Sequence, residues 1–218
     1  MGLINFGIPK DFVLFLKKMY KIENFIETGT YKGETAKWAA QTFNNVVTIE
    51  NSEEIYDEIN ETLSTYKNVS HLYGDSSLLL KEQIQLCEGP VILWLDAHWC
   101  GSNTFGIDDQ CPILKELDSL TIYPKKDLFI LIDDARLFLT VPPRPHSSSD
   151  YPSLILIMNE LQKFESHIFV FNDVIYSLPG FTKSEVNNFI QDFYEKQSIV
   201  KEDSFFKKTL LKISNKLC

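Results

Sequence analysis

Short apolar runs alternate along this chain with longer stretches in which apolar residues recur every three or four positions. "NFIETG" (24–29) predicts a strand and "GETAKWAAQTF" (33–43) a helix. "NVVTIE" (45–50) predicts a second strand. "SEEIYDEINETLSTY" (52–66) then places Ile55, Ile59 and Leu63 at helical spacing. "VSHLYGD" (69–75) reads as a third strand, followed by helical "SSLLLKEQIQLC" (76–87). "PVILWLDAH" (90–98) and "LFILIDDA" (128–135) are nearly continuous apolar runs that end in carboxylates. Such runs fit central strands of a parallel sheet with helices on both faces. "YPSLILIMNELQKF" (151–164) predicts a helix with Pro152 in its first turn, and "HIFVFNDVIYSLP" (167–179) a β-hairpin turning at Asn172-Asp173. Residues 183–197 and 203–217 predict two further helices, which the pattern does not place.

Composition narrows the classes. At 218 residues, 44% hydrophobic, the chain suits one large globular domain with a sizeable core. A net charge of -9 argues against broad contact with a nucleic-acid backbone, although it leaves room for a local basic patch. Four cysteines, Cys87, Cys100, Cys111 and Cys218, are too sparse for a disulfide scaffold, so a reducing compartment is expected. Asp11 interrupts the apolar amino terminus, Phe6 stands where a myristoylation motif wants Ser or Thr, and Cys218 at the end makes no prenylation box. No apolar run approaches bilayer length. The expectation is a soluble cytoplasmic protein with no membrane and no nucleic-acid partner.

In open parallel sheets ligands sit beyond the carboxyl ends of the strands, so the polar residues there carry the chemistry. In "ETGTYKGET" (27–35), Gly29 and Gly33 allow a tight turn and close backbone approach, while Thr28, Thr30 and Thr35 can donate hydrogen bonds. Free amides at the following helix start favour a carboxylate or phosphate. Glu27 discriminates between ligands: it would repel a dinucleotide pyrophosphate and attract an ammonium group. Glu50, ending the second strand, is placed to accept both hydroxyls of a ribose. Asp75, in "GDSS", could accept from an exocyclic amine such as that of adenine.

Together "ETGTYKGET", "VVTIE", "GDSS", "LWLDAHW" and "LIDDA" resemble the class I S-adenosylmethionine-dependent methyltransferases over roughly residues 20–180. The resemblance implies an α/β, Rossmann-like, doubly wound and mostly parallel seven-stranded sheet. An antiparallel carboxyl-terminal hairpin closes that sheet, and helices cover both faces. It implies a single domain over 1–218, its core at about 20–180 with an N-terminal helix and a helical extension over 181–218. By analogy Glu27 and Gly29 hold the methionine part of the cofactor, Glu50 the ribose and Asp75 the adenine. Thr28, Thr30, Tyr31, Gly33, Thr35, Ser76 and Asp96 complete the cofactor site. The first turn departs from the commoner glycine-rich version, having two glycines rather than three. The plainer reading is that strand-end carboxylates only cap turns and helices.

Asp96, Asp133 and Asp134 should cluster at the ends of neighbouring strands, where three carboxylates repel unless protons, cations or hydrogen bonds compensate. Oxygen ligands favour Mg²⁺, Ca²⁺ or Mn²⁺, and such an ion could bind acceptor hydroxyls and lower the pKa of one. This constellation is similar to the metal-dependent sugar O-methyltransferases of macrolide and aminocoumarin biosynthesis, which carry a further Asp, the proposed base, where this chain has His98. Imidazole can do the same job. The plainer alternatives are that Asp133 caps its own turn, Asp134 pairs with Arg136 or a lysine, and His98 is a structural histidine beside Trp99. His98, Cys100 and Cys111 match none of the strong zinc spacings.

Two loops follow these strands, "WCGSNTFGIDDQCP" (99–112) and "RLFLTVPPRPHSSSDYP" (136–152). Tyr31, Trp99, Arg136, Phe138, Arg144 and His146 are candidates to contact an acceptor. The carboxyl-terminal stripe of Phe206, Leu210, Ile213 and Leu217 reads as packing or homodimerisation. The predicted activity is methyl transfer from S-adenosylmethionine to an oxygen of a small, hydroxyl-rich acceptor. Glu27, Gly29, Glu50 and Asp75 would seat the cofactor, Asp96, Asp133 and Asp134 a divalent ion, and His98 would act as base beside Asp96. Its rivals are a nicotinamide-dependent oxidoreductase and a non-catalytic module of the same fold. Nitrogen remains open as the methyl acceptor.

Overall fold

Seven strands form where the apolar runs predict them: β1 (Asn24–Thr28), β2 (Asn45–Glu50), β3 (Val69–Tyr73), β4 (Val91–Leu95), β5 (Leu128–Ile132), β6 (Ser166–Phe171) and β7 (Val174–Pro179). The computed structural model describes residues 7–99, 110–121 and 127–214. It divides into two units, Met1–Pro179 and Gly180–Cys218. The sheet of the first unit runs β3-β2-β1-β4-β5-β7-β6. β1 to β5 are parallel, and β7 lies antiparallel to both β5 and β6. Chain order reverses between β1 and β4, which makes the ends of these two strands the topological switch point.

β1, β4 and β5 are buried along their whole length, as continuous apolar runs require. Alternate residues of these strands serve opposite faces. On one face Ile26, Leu93 and Ile130 pack with Leu80 of α4 (Ser76–Leu86), Leu117 of α5 (Ile113–Thr121) and Ile157 of α7 (Leu154–Gln162). On the other, Phe25 stacks on Phe43 at 5.1 Å, just beyond α2 (Glu34–Thr42). There Tyr20 and Phe12 of α1 (Lys10–Tyr20) meet Phe129 at 5.3 Å and Tyr176 at 4.9 Å. The same pleat sends Glu27 to the α2 side and Thr28 to the α5 side, so the first turn serves both faces.

α3 (Glu53–Leu63) buries Ile55 and Leu63 as its spacing predicts. The hairpin turns at Asn172 and Asp173 with φ of 47° and 64°, the two left-handed residues that a two-residue turn between twisted strands requires. The start of α7 needs correcting: it begins at Leu154 behind Ser153, so Pro152 precedes the helix rather than sitting in its first turn. The two helices predicted beyond residue 182 are one, α8 (Lys183–Ser214), which follows a short 3₁₀ turn in the second unit. Residues 198–202, "SIVKE", contain neither proline nor glycine, so nothing there ends the helix. Phe206, Leu210, Ile213 and Leu217 lie outside the described side chains. Among the described residues no helix is long and apolar enough to cross a membrane.

Candidate active site

The first turn is built around two groups from neighbouring strands. Gly29 has φ +80°, and a Cβ there would lie 2.4 Å from the Asp96 carbonyl oxygen, so only glycine lets β1 and β4 end this close together. Tyr31, at φ 45°, donates its N–H to Glu50 Oε2 at 3.0 Å. The other oxygen of Glu50 accepts from the Ser52 N–H at 2.8 Å. Glu50 therefore fixes both its own turn and the first one, with lone pairs left over for a ligand hydroxyl. Gly33, at φ +67°, closes the turn at the start of α2.

Glu27 is almost wholly inaccessible, at 1% exposure. Thr48 Oγ1 donates to its Oε2 at 2.6 Å, and the Thr30 and Thr48 hydroxyls are 2.7 Å apart. Burial pushes the Glu27 pKa up to about 8, against the downward pull of the Thr48 and Thr35 hydroxyls. Hydroxyls solvate this carboxyl, and no lysine or arginine pairs with it among the described residues.

On the opposite side of the sheet, Thr28 Oγ1 accepts from the Asp96 N–H at 3.2 Å. Ser76 Oγ donates to Glu116 Oε1 at 2.5 Å. Glu116, on α5, is 1% exposed, and burial raises it to about 7 despite hydrogen bonds from Ser76 and Thr28. Ser76 thus spends its hydroxyl on Glu116. Asp75 caps α4, its Oδ1 accepting from the Ser77 N–H at 2.9 Å and the Ser77 hydroxyl at 2.7 Å. Its second oxygen is not used in the cap.

The ends of β4 and β5 bring Asp96, Asp133 and Asp134 together as expected. His98 lies between two of them, Nδ1 at 3.3 Å from Asp96 Oδ1 and Nε2 at 2.9 Å from Asp134 Oδ2. The other Asp134 oxygen is 2.5 Å from Arg136 Nη1. Asp133 Oδ1 accepts the Asp134 N–H at 2.7 Å, capping its own turn, and Asp134 has φ +55°. Among the described residues no three His, Cys, Asp or Glu side chains converge as metal ligands. The three carboxyl groups expected to hold a divalent ion thus meet His98, Arg136 and a backbone N–H among the described residues. Asp134 is engaged on both oxygens, and Asp96 and Asp134 meet opposite nitrogens of the His98 ring.

Protonation follows from these contacts. Burial raises Asp96 to about 6 although His98 pulls it down, and burial with Asp96 and Asp134 nearby raises Asp133 to about 8. Burial also opposes charge on Asp134, but His98 and Arg136 outweigh it and hold that carboxyl below its ordinary range. The remaining partner comes from the hairpin: Asp173 accepts the Arg136 N–H at 2.9 Å on Oδ1 and Arg136 Nη1 on Oδ2. Arg136, expected from its loop to contact an acceptor, thus pairs with two aspartates.

Trp99 and Phe138, expected to meet the acceptor, are 8% and 6% exposed and belong to an aromatic wall. Trp99 meets His146 at 5.8 Å, Phe138 meets Tyr151 at 6.1 Å, and the Tyr151 hydroxyl is 3.0 Å from His146 Nδ1. Arg144 is exposed. A small cavity beside the wall is lined by Ala97, His98, Glu116, Asp133 and Phe138 among others. Cys111 is buried, and Cys100 with residues 101–109 of the predicted loop lies outside the described residues. Sequence reasoning missed Thr48, Glu116 and Asp173. Thr48 carries a faint signal as a polar residue inside an apolar strand, whereas Glu116 and Asp173 look like an ordinary helix carboxylate and an ordinary turn residue.

No protein-family model matches the chain, and no curated protein matches it in sequence. Solved structures do match it. One, described as a caffeoyl-CoA O-methyltransferase from Staphylococcus aureus, is 15% identical with a TM-score of 0.52, over 81% of this chain and 86% of that one. The O-methyltransferase TomG from Streptomyces achromogenes, solved with SAM, is 15% identical over 81% of this chain and 82% of that one, with a TM-score of 0.48. The SAH-bound methyltransferase PaMTH1 from Podospora anserina is 18% identical over 76% and 75%, with a TM-score of 0.49. The likeness to the Staphylococcus aureus structure, with the strand order and closing hairpin, establishes the class I methyltransferase fold.

Proposed function

We propose that this chain transfers a methyl group from S-adenosylmethionine to an oxygen of a small, hydroxyl-rich acceptor. Glu27 is the observation that carries the reading. A carboxyl group at 1% exposure, solvated only by hydroxyls and set beside a glycine turn at the switch point, suits an incoming ammonium group. A pyrophosphate cannot draw off the proton that burial keeps on this carboxyl, whereas an ammonium group can, which disfavours the nicotinamide-dependent alternative.

When bound, S-adenosylmethionine supplies a methyl carbon on a sulfonium centre, open to in-line displacement by an oxygen. Glu27 and the Gly29 turn receive the amino-acid end, the spare lone pairs of Glu50 the ribose hydroxyls, and the second Asp75 oxygen the adenine amine. His98, held by Asp134 at Nε2, sets its Nδ1 against Asp96, and the Asp96 carboxylate, steadied by that ring, takes the acceptor's hydroxyl proton. Positioning supplies most of the rate in such a displacement. A divalent ion is left out of this reading, because the carboxylates that would hold it are engaged by His98 and Arg136.

Thermal unfolding with S-adenosylhomocysteine, with NAD and with neither tests the proposal. A ligand at a hundred times its Kd stabilises by about 2.7 kcal/mol, or about 5–10 °C for a chain of this size. A rise with S-adenosylhomocysteine alone supports methyl transfer and justifies an acceptor screen read by S-adenosylhomocysteine release. A rise with NAD alone, or with neither, refutes the assignment of Glu27.

A further inference from the structure

We propose that the His98 imidazole and the Arg136 guanidinium, the latter anchored by Asp173, fill the place a divalent cation would take among Asp96, Asp133 and Asp134, so that this edge works without a metal ion. The inference rests on the methyltransferase reading for what the edge does, and on geometry alone for what occupies it.

Three carboxyl groups at two adjacent strand ends need compensation. A hard divalent ion provides it by drawing oxygens to one point, at about 2.0–2.1 Å for Mg²⁺. Here the oxygens do not share a point. Asp96 Oδ1 lies 3.3 Å from one ring nitrogen of His98 and Asp134 Oδ2 lies 2.9 Å from the other, so the ring itself spans the gap. Asp134 Oδ1 is closed off by Arg136 at 2.5 Å, and Asp133 Oδ1 by the Asp134 N–H at 2.7 Å.

The guanidinium is held from a second direction. The Arg136 N–H donates to Asp173 Oδ1 at 2.9 Å and Nη1 to Asp173 Oδ2, while the Ala135 N–H donates to the Asp173 carbonyl at 2.8 Å. The Asp173 side chain is 6% exposed, so this anchor is part of the folded interior rather than a surface pairing. A cation on a fixed side chain cannot be chelated away, and its donors keep their directions between turnovers.

The test is a Mn²⁺ titration of the full-length protein, followed by the EPR signal of free Mn²⁺, with and without S-adenosylhomocysteine. The native protein should show no saturable site below millimolar Mn²⁺ that Asp134→Asn abolishes, and EDTA should leave its melting temperature unchanged. His98→Asp, which exchanges the ring for an oxygen ligand, should bind Mn²⁺ at least about tenfold more tightly than the native chain. Arg136→Met, which frees an Asp134 oxygen, should move in the same direction and serves if the first variant does not fold. A native site below millimolar that is lost in Asp134→Asn overturns the proposal, and so does a failure of every folded variant to gain affinity. Binding of S-adenosylhomocysteine in the same titration reports the methyltransferase reading separately, so either can fail alone.

Discussion

The Thr48 hydroxyl donates to Glu27 Oε2 at 2.6 Å across the pairing of β1 with β2. Having given its only proton to Glu27, it must accept from Thr30, 2.7 Å away on the glycine turn. A three-residue chain therefore ties the buried carboxyl to the glycine turn. Occupation of the turn and ionisation of Glu27 are then coupled.

Affinity for S-adenosylhomocysteine should depend on pH through Glu27. Its pKa is pushed up from 4.5 to about 8, so at neutral pH it is mostly protonated, and an ammonium ligand must displace that proton. Affinity should rise about tenfold per pH unit up to about 8 and then level off. Glu27→Gln should bind weakly with no such slope, as titration calorimetry at several pH values would record.

The same shift bears on stability without ligand. A carboxyl group with a raised folded pKa makes its full contribution below the unfolded value of 4.5 and loses it as pH rises through about 8. Glu27→Gln should therefore melt above the native protein at pH 8.5, with the gap closing towards pH 5. An unchanged gap would place the charge elsewhere.

Asp75 separates capping from ligand binding. Asp75→Ala should cost about 1 kcal/mol by removing the cap of α4 and should also weaken S-adenosylhomocysteine binding. Asp75→Ser keeps a capping oxygen on a shorter side chain. It should restore the melting temperature without restoring affinity. Full recovery of both would reduce Asp75 to a cap.

Gly29→Ala and Gly89→Ala form a matched pair, since both glycines have positive φ, at +80° and +79°. At Gly89 a Cβ meets nothing within 4 Å, so only backbone strain of about 1 kcal/mol applies. At Gly29 the clash with the Asp96 carbonyl adds to it. Denaturant midpoints should fall clearly further for Gly29→Ala, with loss of ligand binding in that variant alone.

Asp173→Asn should cost about 1–2 kcal/mol by removing one of the two charges that hold Arg136, which is itself a third exposed. Asparagine tolerates the left-handed turn, so the hairpin itself should survive. The loss should shrink at high salt and largely vanish in an Arg136→Met background. Additive losses in that double mutant would show that the two side chains do not act together.

The buried strands were legible because continuous apolar runs such as "VILWL" and "LFILI" read the same in sequence and in a doubly covered sheet, while their arrangement came from the resemblance. Glu27, Glu50 and Asp75 were legible as strand-end carboxylates; the structure ties Glu50 to the first turn through the Tyr31 N–H and puts Asp75 at the start of α4. What the sequence hid was how polar side chains satisfy one another across elements far apart in the chain. Asp173 reads as a turn residue because its partner, Arg136, is 37 positions away. Arg136 reads as available for the same reason. Ser76 looked like a ligand contact, yet its hydroxyl goes to Glu116, a residue that nothing in the periodicity of α5 distinguishes. The mistaken division of α8 has a simpler cause, since polar residues within a helix resemble a linker when no proline or glycine marks an end.

The anchoring of Arg136 by the last hairpin also bears on the order of biosynthesis. β1 to β5 leave the ribosome first, carrying Asp96, Asp133 and Asp134. Until the segment around residue 173 follows, Arg136 has one acidic partner instead of two. The acidic edge therefore acquires its final charge balance only when the closing strands dock. A nascent or truncated chain that stops short of the hairpin lacks the Asp173 anchor, so the cluster of Asp134, His98 and Arg136 is completed only together with the sheet.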